Sequence, residues 1–122
     1  MNQPIRYTIS RENDVLILHF SEQTRFDSTD FRQVLQNDLN DGDNAKCQHV
    51  IIDCSGMKYT NSLFVEAVLR IAAEMKKRDG SFCLCGLEPF VRDLVHVTQL
   101  DHRWTIYDDR AAAMAALEKA SS

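Results

Sequence analysis

The sequence predicts an α/β fold: one mixed sheet that opens with an antiparallel hairpin and continues as alternating parallel β-α units, with about four helices. Three observations carry this reading. Apolar runs of strand length recur along the 122 residues. The first two have only a short polar connection between them, so they pair as a hairpin. Every later run is separated from the next by a stretch with helical period, and such alternation implies parallel strands joined by right-handed crossovers. Residues 1–122 are expected to form a single domain, long enough to bury a core without disulfides or metals.

Ile5, Tyr7 and Ile9 alternate with Arg6, Thr8 and Ser10, the period-2 pattern of a half-buried strand. Arg11-Glu12-Asn13-Asp14 reads as a polar turn. Val15-Leu16-Ile17-Leu18-His19-Phe20 is apolar on both faces and so lies further inside the sheet. Asp27-Ser28 offers caps for a first helix carrying Phe31, Val34, Leu35 and Leu39, stopped by Asn40-Asp41-Gly42-Asp43. His49-Val50-Ile51-Ile52-Asp53-Cys54 has the continuous apolarity of a central strand covered on both faces, and Ser55-Gly56 breaks it.

The next helix begins near Ser62 and runs to about Arg78. At 100° per residue its charges Glu66, Arg70, Glu74 and Lys77 share one side, with Glu66–Arg70 and Arg70–Glu74 as i,i+4 pairs. Its apolar arc spans roughly 200°, wider than a surface helix needs. Flanking helices cover the surplus or, near Leu63 and Phe64, it meets a partner protein. Asp79-Gly80 stops this helix, and Ser81-Phe82-Cys83-Leu84-Cys85 is a buried strand. Pro89 opens a third helix with Phe90, Val91, Leu94 and Val95 as apolar positions. Trp104-Thr105-Ile106-Tyr107 is a last strand. Asp108-Asp109 then caps an alanine-rich helix from Arg110 to Ala120, with Met114 and Leu117 facing the body.

Composition narrows the function. A net charge of −4 without a dense Lys/Arg cluster argues against nucleic acid as a partner. No apolar run reaches bilayer-spanning length and no signal-peptide core is present, which implies no membrane insertion and a cytoplasmic protein. Cys47, Cys54, Cys83 and Cys85 have neither CxxC nor zinc spacing. They read as buried thiols in a reducing compartment, with vicinal metal or redox chemistry at Cys83-x-Cys85 as the other reading. The phosphate-binding, zinc-protease and nucleophile-elbow motifs are missing, so neither cofactor nor metal is expected. His19 and His49 fall in strands and read as structural. Asp53 ends a central strand, where α/β sites gather, yet the sequence identifies no partner for it.

Tyr59-Thr60-Asn61-Ser62-Leu63 joins the central strand to the long helix. Its hydroxyl and amide groups lie at the positive end of a helix. A phosphate on Ser62 would add roughly −1.5 to −2 charge where the dipole favours it. The helix would tolerate that change, but a partner surface complementary to the neutral form would not. The plainer role is that Ser62 or Asn61 simply caps the helix.

Several phrases, in order, resemble the STAS domain, the module of bacterial anti-sigma factor antagonists also found in sulfate transporters. Val50-Ile51-Ile52-Asp53-Cys54-Ser55-Gly56-Met57 is similar to that family's central strand, an apolar run ending in Asp-x-Ser-x. Tyr59-Thr60-Asn61-Ser62 falls where the family places aromatic-x-Asp-Ser. Asp79-Gly80 with Phe82-Cys83-Leu84-Cys85-Gly86-Leu87 resembles its glycine and next strand, and Leu94-Val95 to Leu100-Asp101 its third helix and the phrase after it. The chain departs from the pattern at Asn61, where the aspartate is usual. It also has Leu63-Phe64 in place of Ser/Thr-Gly, and Gln99 in place of a glycine.

The resemblance implies a STAS-like fold and protein binding without catalysis. Family antagonists bind a switch kinase or anti-sigma factor. Phosphorylation of the serine matching Ser62 disables that binding, and a serine phosphatase restores it. On this basis Ser62 is the expected phosphate acceptor, and Thr60, Asn61, Ser62, Leu63 and Phe64 are the expected contact residues. A second reading is a phosphorylation-independent STAS subunit or scaffold of a transporter or other assembly. A third is a small enzyme using Asp53 or a cysteine.

Overall fold

A computed structural model describes residues 8–20, 42, 46–58, 60, 62–102 and 104–121. The first helix expected from the sequence, with Phe31, Val34, Leu35 and Leu39, lies outside these residues, as do Ile5, Tyr7, Tyr59 and Asn61. Five strands form one sheet in the order β1-β2-β3-β4-β5. They are β1 Thr8–Glu12, β2 Val15–His19, β3 His49–Asp53, β4 Ser81–Cys85 and β5 Thr105–Tyr107. β1 is antiparallel to β2, and all later pairs are parallel. The described helices are α1 Ser62–Lys77, α2 Pro89–Val97 and α3 Arg110–Ser121, with a short 3-10 turn at Leu100–His102.

The hairpin turn is tighter than the sequence suggested. Arg11 and Glu12 belong to β1 and pair with Leu16 and Val15, so the turn shrinks to Asn13-Asp14. Asn13 has φ 56, a left-handed conformation that asparagine tolerates better than most residues. Edge position explains the polar residues of β1: all five are exposed, whereas Val15 to Leu18 of β2 are buried on both faces.

The sheet order decides where the helices go. Each parallel strand lies beside its predecessor, so successive right-handed crossovers place their helices on the same face. α1 and α2 accordingly share one face. There Phe64, Ala67, Val68, Ile71 and Met75 of α1 and Val91 and Val95 of α2 meet Leu16, Leu18, Val50, Ile52 and Leu84. α3 follows the last strand and is free to cover the other face. Ala113 is fully buried there against Val15, Ile17, Ile51, Cys83 and Cys85, flanked by Met114 and Leu117. β3 is therefore covered on both sides, which accounts for its continuous apolarity.

Local chemistry ends the helices. Asp79 adopts φ 57, and the Gly80 and Asp79 amides donate to the Met75 and Lys76 carbonyls, a Schellman closure of α1. Pro89 is at the start of α2. Asp109 caps α3, its Oδ1 accepting from the Ala112 amide at 2.8 Å. On the exposed side of α1, Arg70 pairs with Glu66 at 3.4 Å as expected. Glu74 turns instead to Arg78, at 3.4 Å, and Lys77, at 3.8 Å. No helix among the described residues is long and apolar enough to cross a membrane.

Candidate functional site

The C-terminal ends of the parallel strands lie side by side, with His19, Asp53, Cys85 and Tyr107 in register across the sheet. Alternation puts these four side chains on the α3 face. The chain leaves β3 at this edge, crosses to the other face, and enters α1 at Ser62. The junction singled out in the sequence is thus at the end of an α/β sheet where loops meet and ligands gather.

The described helix α1 starts at Ser62, which is exposed. The first turn of α1 carries no acidic residue. An anion at Ser62 would therefore meet the positive end of a 16-residue helix without a neighbouring carboxylate in that turn.

The other expected contact residues have different fates. Asn61 lies outside the described residues. Thr60 is half-buried, with its hydroxyl enclosed and without a partner among the described residues. Leu63 is half-buried and packs against the core cluster rather than standing free on the charged side. Phe64 departs from expectation. It is only 4% exposed, and its ring meets the Phe20 ring edge-on at a centroid distance of 5.2 Å. The helical turn points it at 200° from Ser62, toward the sheet, so it anchors the start of α1 and offers no free surface there.

Asp53, which seemed to lack a partner in sequence, has two. Its Oδ1 accepts from the Ser55 amide at 2.9 Å and the Ser55 hydroxyl at 2.6 Å. Its Oδ2 accepts from Arg110 Nε at 3.0 Å, and Arg110 Nη2 lies 2.9 Å from the same oxygen in an ion pair. The Asp-x-Ser spacing signals the first pair. Nothing local signals the second, because Arg110 is 57 residues away. Arg110 opens α3, where the dipole disfavours a cation, and that misfit was the one available hint. Asp53 is 4% exposed. Burial pushes its carboxyl up, but the Ser55 hydroxyl and amide, then the charges of His19 and Arg110, outweigh it and hold the carboxyl below its ordinary value.

More groups converge on the same loop. His19 Nε2 donates to the Ser55 carbonyl at 3.0 Å. The Glu88 carboxylate, just before α2, accepts from the Gly56 amide at 3.1 Å. Gly86 has φ 65, and a side chain there would run into the Ser55 hydroxyl and reach 3.0 Å from Asp53 Oδ1. A residue without Cβ is what lets β4 pass so close.

The cysteines are all buried and free. Cys83 and Cys85 share the α3 face, while Cys54 is on the other. Burial raises the Cys83 thiol to about 11. Cys85 rises to about 12, from burial first and then the nearby Asp53 charge. Burial raises Cys54 as well. Protonated, enclosed thiols are poor nucleophiles and poor ligands. Among the described residues no group of His, Cys, Asp and Glu is arranged to hold a metal.

The STAS domain family model matches residues 6–113. BtrV of Bordetella bronchiseptica, assigned as an anti-sigma factor antagonist, is 27% identical over 73 residues, which is 60% of this chain and 63% of BtrV. The match thus spans less than two thirds of that relative. A protein of Thermotoga maritima, also assigned as an anti-sigma factor antagonist, has a crystal structure that superposes with a TM-score of 0.80 at 18% identity, covering 92% of this chain and 94% of its own. The anti-sigma factor antagonist SpoIIAA in its unphosphorylated form superposes with a TM-score of 0.73 at 15% identity, covering 93% and 96%. The family model spans most of the sequence, and the fold superposes on these solved structures: the chain belongs to the STAS domain family.

Proposed function

We propose that this chain is an anti-sigma factor antagonist-like regulator that binds a partner protein around the start of α1, and that phosphorylation of Ser62 switches the binding off. The observation that carries this is the state of Ser62: exposed, first in a 16-residue helix whose first turn holds no acidic residue. A phosphate there adds roughly −1.5 to −2 charge where the helix accepts it and a docked surface does not. The relatives named above are assigned as anti-sigma factor antagonists, which supports an anti-sigma factor as the partner class; a serine switch kinase that sets the mark and a serine phosphatase that reverses it belong to the proposal itself. Thr60, Asn61, Ser62 and Leu63 form the contact, and Phe64 holds them in place from below. In this reading the chain has no catalytic role, and Asp53 and the cysteines are structural.

A second reading is a phosphorylation-independent subunit or scaffold, in which the same end of the molecule is a permanent interface. Leu63 favours it, because its half-buried side chain leaves apolar surface beside Ser62.

One experiment separates them. The protein is incubated with a serine switch kinase from its own genome and ATP, and phosphate is mapped by mass spectrometry. Calorimetry then measures affinity for the cognate anti-sigma factor for wild type, Ser62→Ala and Ser62→Asp. Phosphate on Ser62, with binding lost in Ser62→Asp and kept in Ser62→Ala, is the expected result. Unmodified Ser62 and undiminished binding by Ser62→Asp would overturn the switch and leave the permanent interface. Leu63→Glu abolishes binding in either case, with a stability cost of about 1 kcal/mol for a half-buried leucine.

A further inference from the structure

Two residues, Ser55 and Gly56, are gripped from several directions. The Ser55 amide and hydroxyl are held by Asp53, at the end of β3. The Ser55 carbonyl is held by His19, at the end of β2. The Gly56 amide is held by Glu88, just before α2. Asp53 is in turn clamped from α3 through both Nε and Nη2 of Arg110. Both oxygens of the carboxylate are thereby engaged, Oδ1 by two donors of Ser55 and Oδ2 by Arg110. Immediately after, Met57 is buried and its amide donates to the Cys54 carbonyl at 3.0 Å. Five residues later the chain reaches Ser62.

We propose that Asp53 and Arg110 are positioning residues for the binding end of the molecule: the Arg110–Asp53–Ser55 chain fixes the loop that presents Ser62, and so couples α3, on the far face of the sheet, to partner affinity. This rests on the reading of the Ser62 loop as the contact surface. Three features of the geometry support it. Arg110 is placed against the dipole of its own helix, where a cation is disfavoured, and its hydrogen bond and ion pair with Asp53 offset that. Among the described side chains of α3, Ala113 is fully buried and Met114 and Leu117 are partly buried beside it, and the Arg110–Asp53 pair adds a directional contact to that apolar packing. Finally, a Cβ at Gly86 would run into the Ser55 hydroxyl and reach 3.0 Å from Asp53 Oδ1, so the Asp53–Ser55 contact needs the glycine. Loosening α3 releases Asp53, and a released Asp53 no longer holds both donors of Ser55.

The test uses the full chain with Arg110→Met, Arg110→Lys and Asp53→Asn. Arg110 is 40% exposed at its side chain, so Arg110→Met leaves no buried hole. Amide hydrogen exchange by mass spectrometry is read on the 54–62 segment and, as internal control, on β3 and β4. The expected result is about 10- to 100-fold faster exchange of the loop in Arg110→Met and Asp53→Asn, the range for losing hydrogen bonds to a charged group, with β3 and β4 unchanged. Arg110→Lys, which keeps the charge without the paired geometry, recovers part of the protection. Affinity for the anti-sigma factor falls in the same order.

Loop exchange that stays at the wild-type rate, or rises only in step with β3 and β4, overturns the proposal, since the pair would then be no more than a stability contact. Faster loop exchange with unchanged affinity, while Ser62→Asp still abolishes binding, overturns the coupling and leaves the Ser62 reading standing. Binding indifferent to every Ser62 substitution defeats the Ser62 reading instead, and the exchange data alone then decide whether the brace exists.

Discussion

Replacing Phe64 by alanine tests whether the start of α1 is held from below or offered to a partner. Phe64 is 4% exposed and sits among Leu16, Leu18, Phe20, Ile52 and Val68. Truncating a core phenylalanine to alanine costs about 3–5 kcal/mol. The edge-on contact with Phe20, at 5.2 Å between centroids, contributes about 0.5–1.5 kcal/mol of its own and places the expected loss in the upper part of that range. For a domain whose total stability is about 5–15 kcal/mol, this is a large fraction. At about 4 °C per kcal/mol the melting temperature falls by roughly 12–20 °C. Phe64→Leu keeps most of the volume and costs only about 1–1.5 kcal/mol. Urea unfolding followed by circular dichroism gives both numbers, read as a shift of midpoint at constant slope. If Phe64→Ala loses less than about 1 kcal/mol while partner affinity collapses, the ring is a contact and not an anchor, and the placement of α1 is wrong.

Other consequences are independent of the partner. Gly86→Ala forces a Cβ against the Ser55 hydroxyl at a positive φ; it is expected to cost about 2–4 kcal/mol by urea unfolding and to speed loop exchange like Asp53→Asn. Gln99 follows α2 with φ 61, where the family has a glycine, so Gln99→Gly is expected to stabilise by about 0.5–1 kcal/mol; a loss of stability would mean that the glutamine side chain does more than tolerate the turn. The Asp53 carboxyl is held below the ordinary 3.8, so its contribution is complete above that value and is lost as pH falls through the lowered one. Wild type should accordingly lose stability more steeply than Asp53→Asn as the pH falls below 3.8, and equal slopes would mean that the charge of Asp53 contributes nothing. With Cys83 raised to about 11 and Cys85 to about 12, iodoacetamide at about pH 8 should label the native protein at least 100-fold more slowly than the urea-unfolded chain; rapid native labelling would expose at least one thiol.

Much of the fold is legible in local pattern. The apolar residues of β2 and β3 announce strands covered on both sides, and the charges of α1 announce its solvated face. Asp79-Gly80, Pro89 and Asp109 mark helix ends that the backbone obeys. These features depend on neighbours within a turn or a strand, so periodicity and cap chemistry suffice to read them. The hairpin turn was less legible. Arg11 and Glu12 are polar because β1 is an edge, and an edge strand and a turn draw on similar residues.

The candidate site divides along the same line. Ser62 stands out in the sequence because a strand end, small polar residues and a helix start coincide there. That Phe64 is an anchor, that Leu63 leans on the core, and that Asp53 is clamped by Arg110 are decided only once the crossovers have stacked α1 and α2 on one face and left the other to α3. Each of those facts joins side chains from elements far apart in the chain. Their meeting is set by the hand of the crossovers and the order of the strands, and neither leaves a mark on the residues that meet.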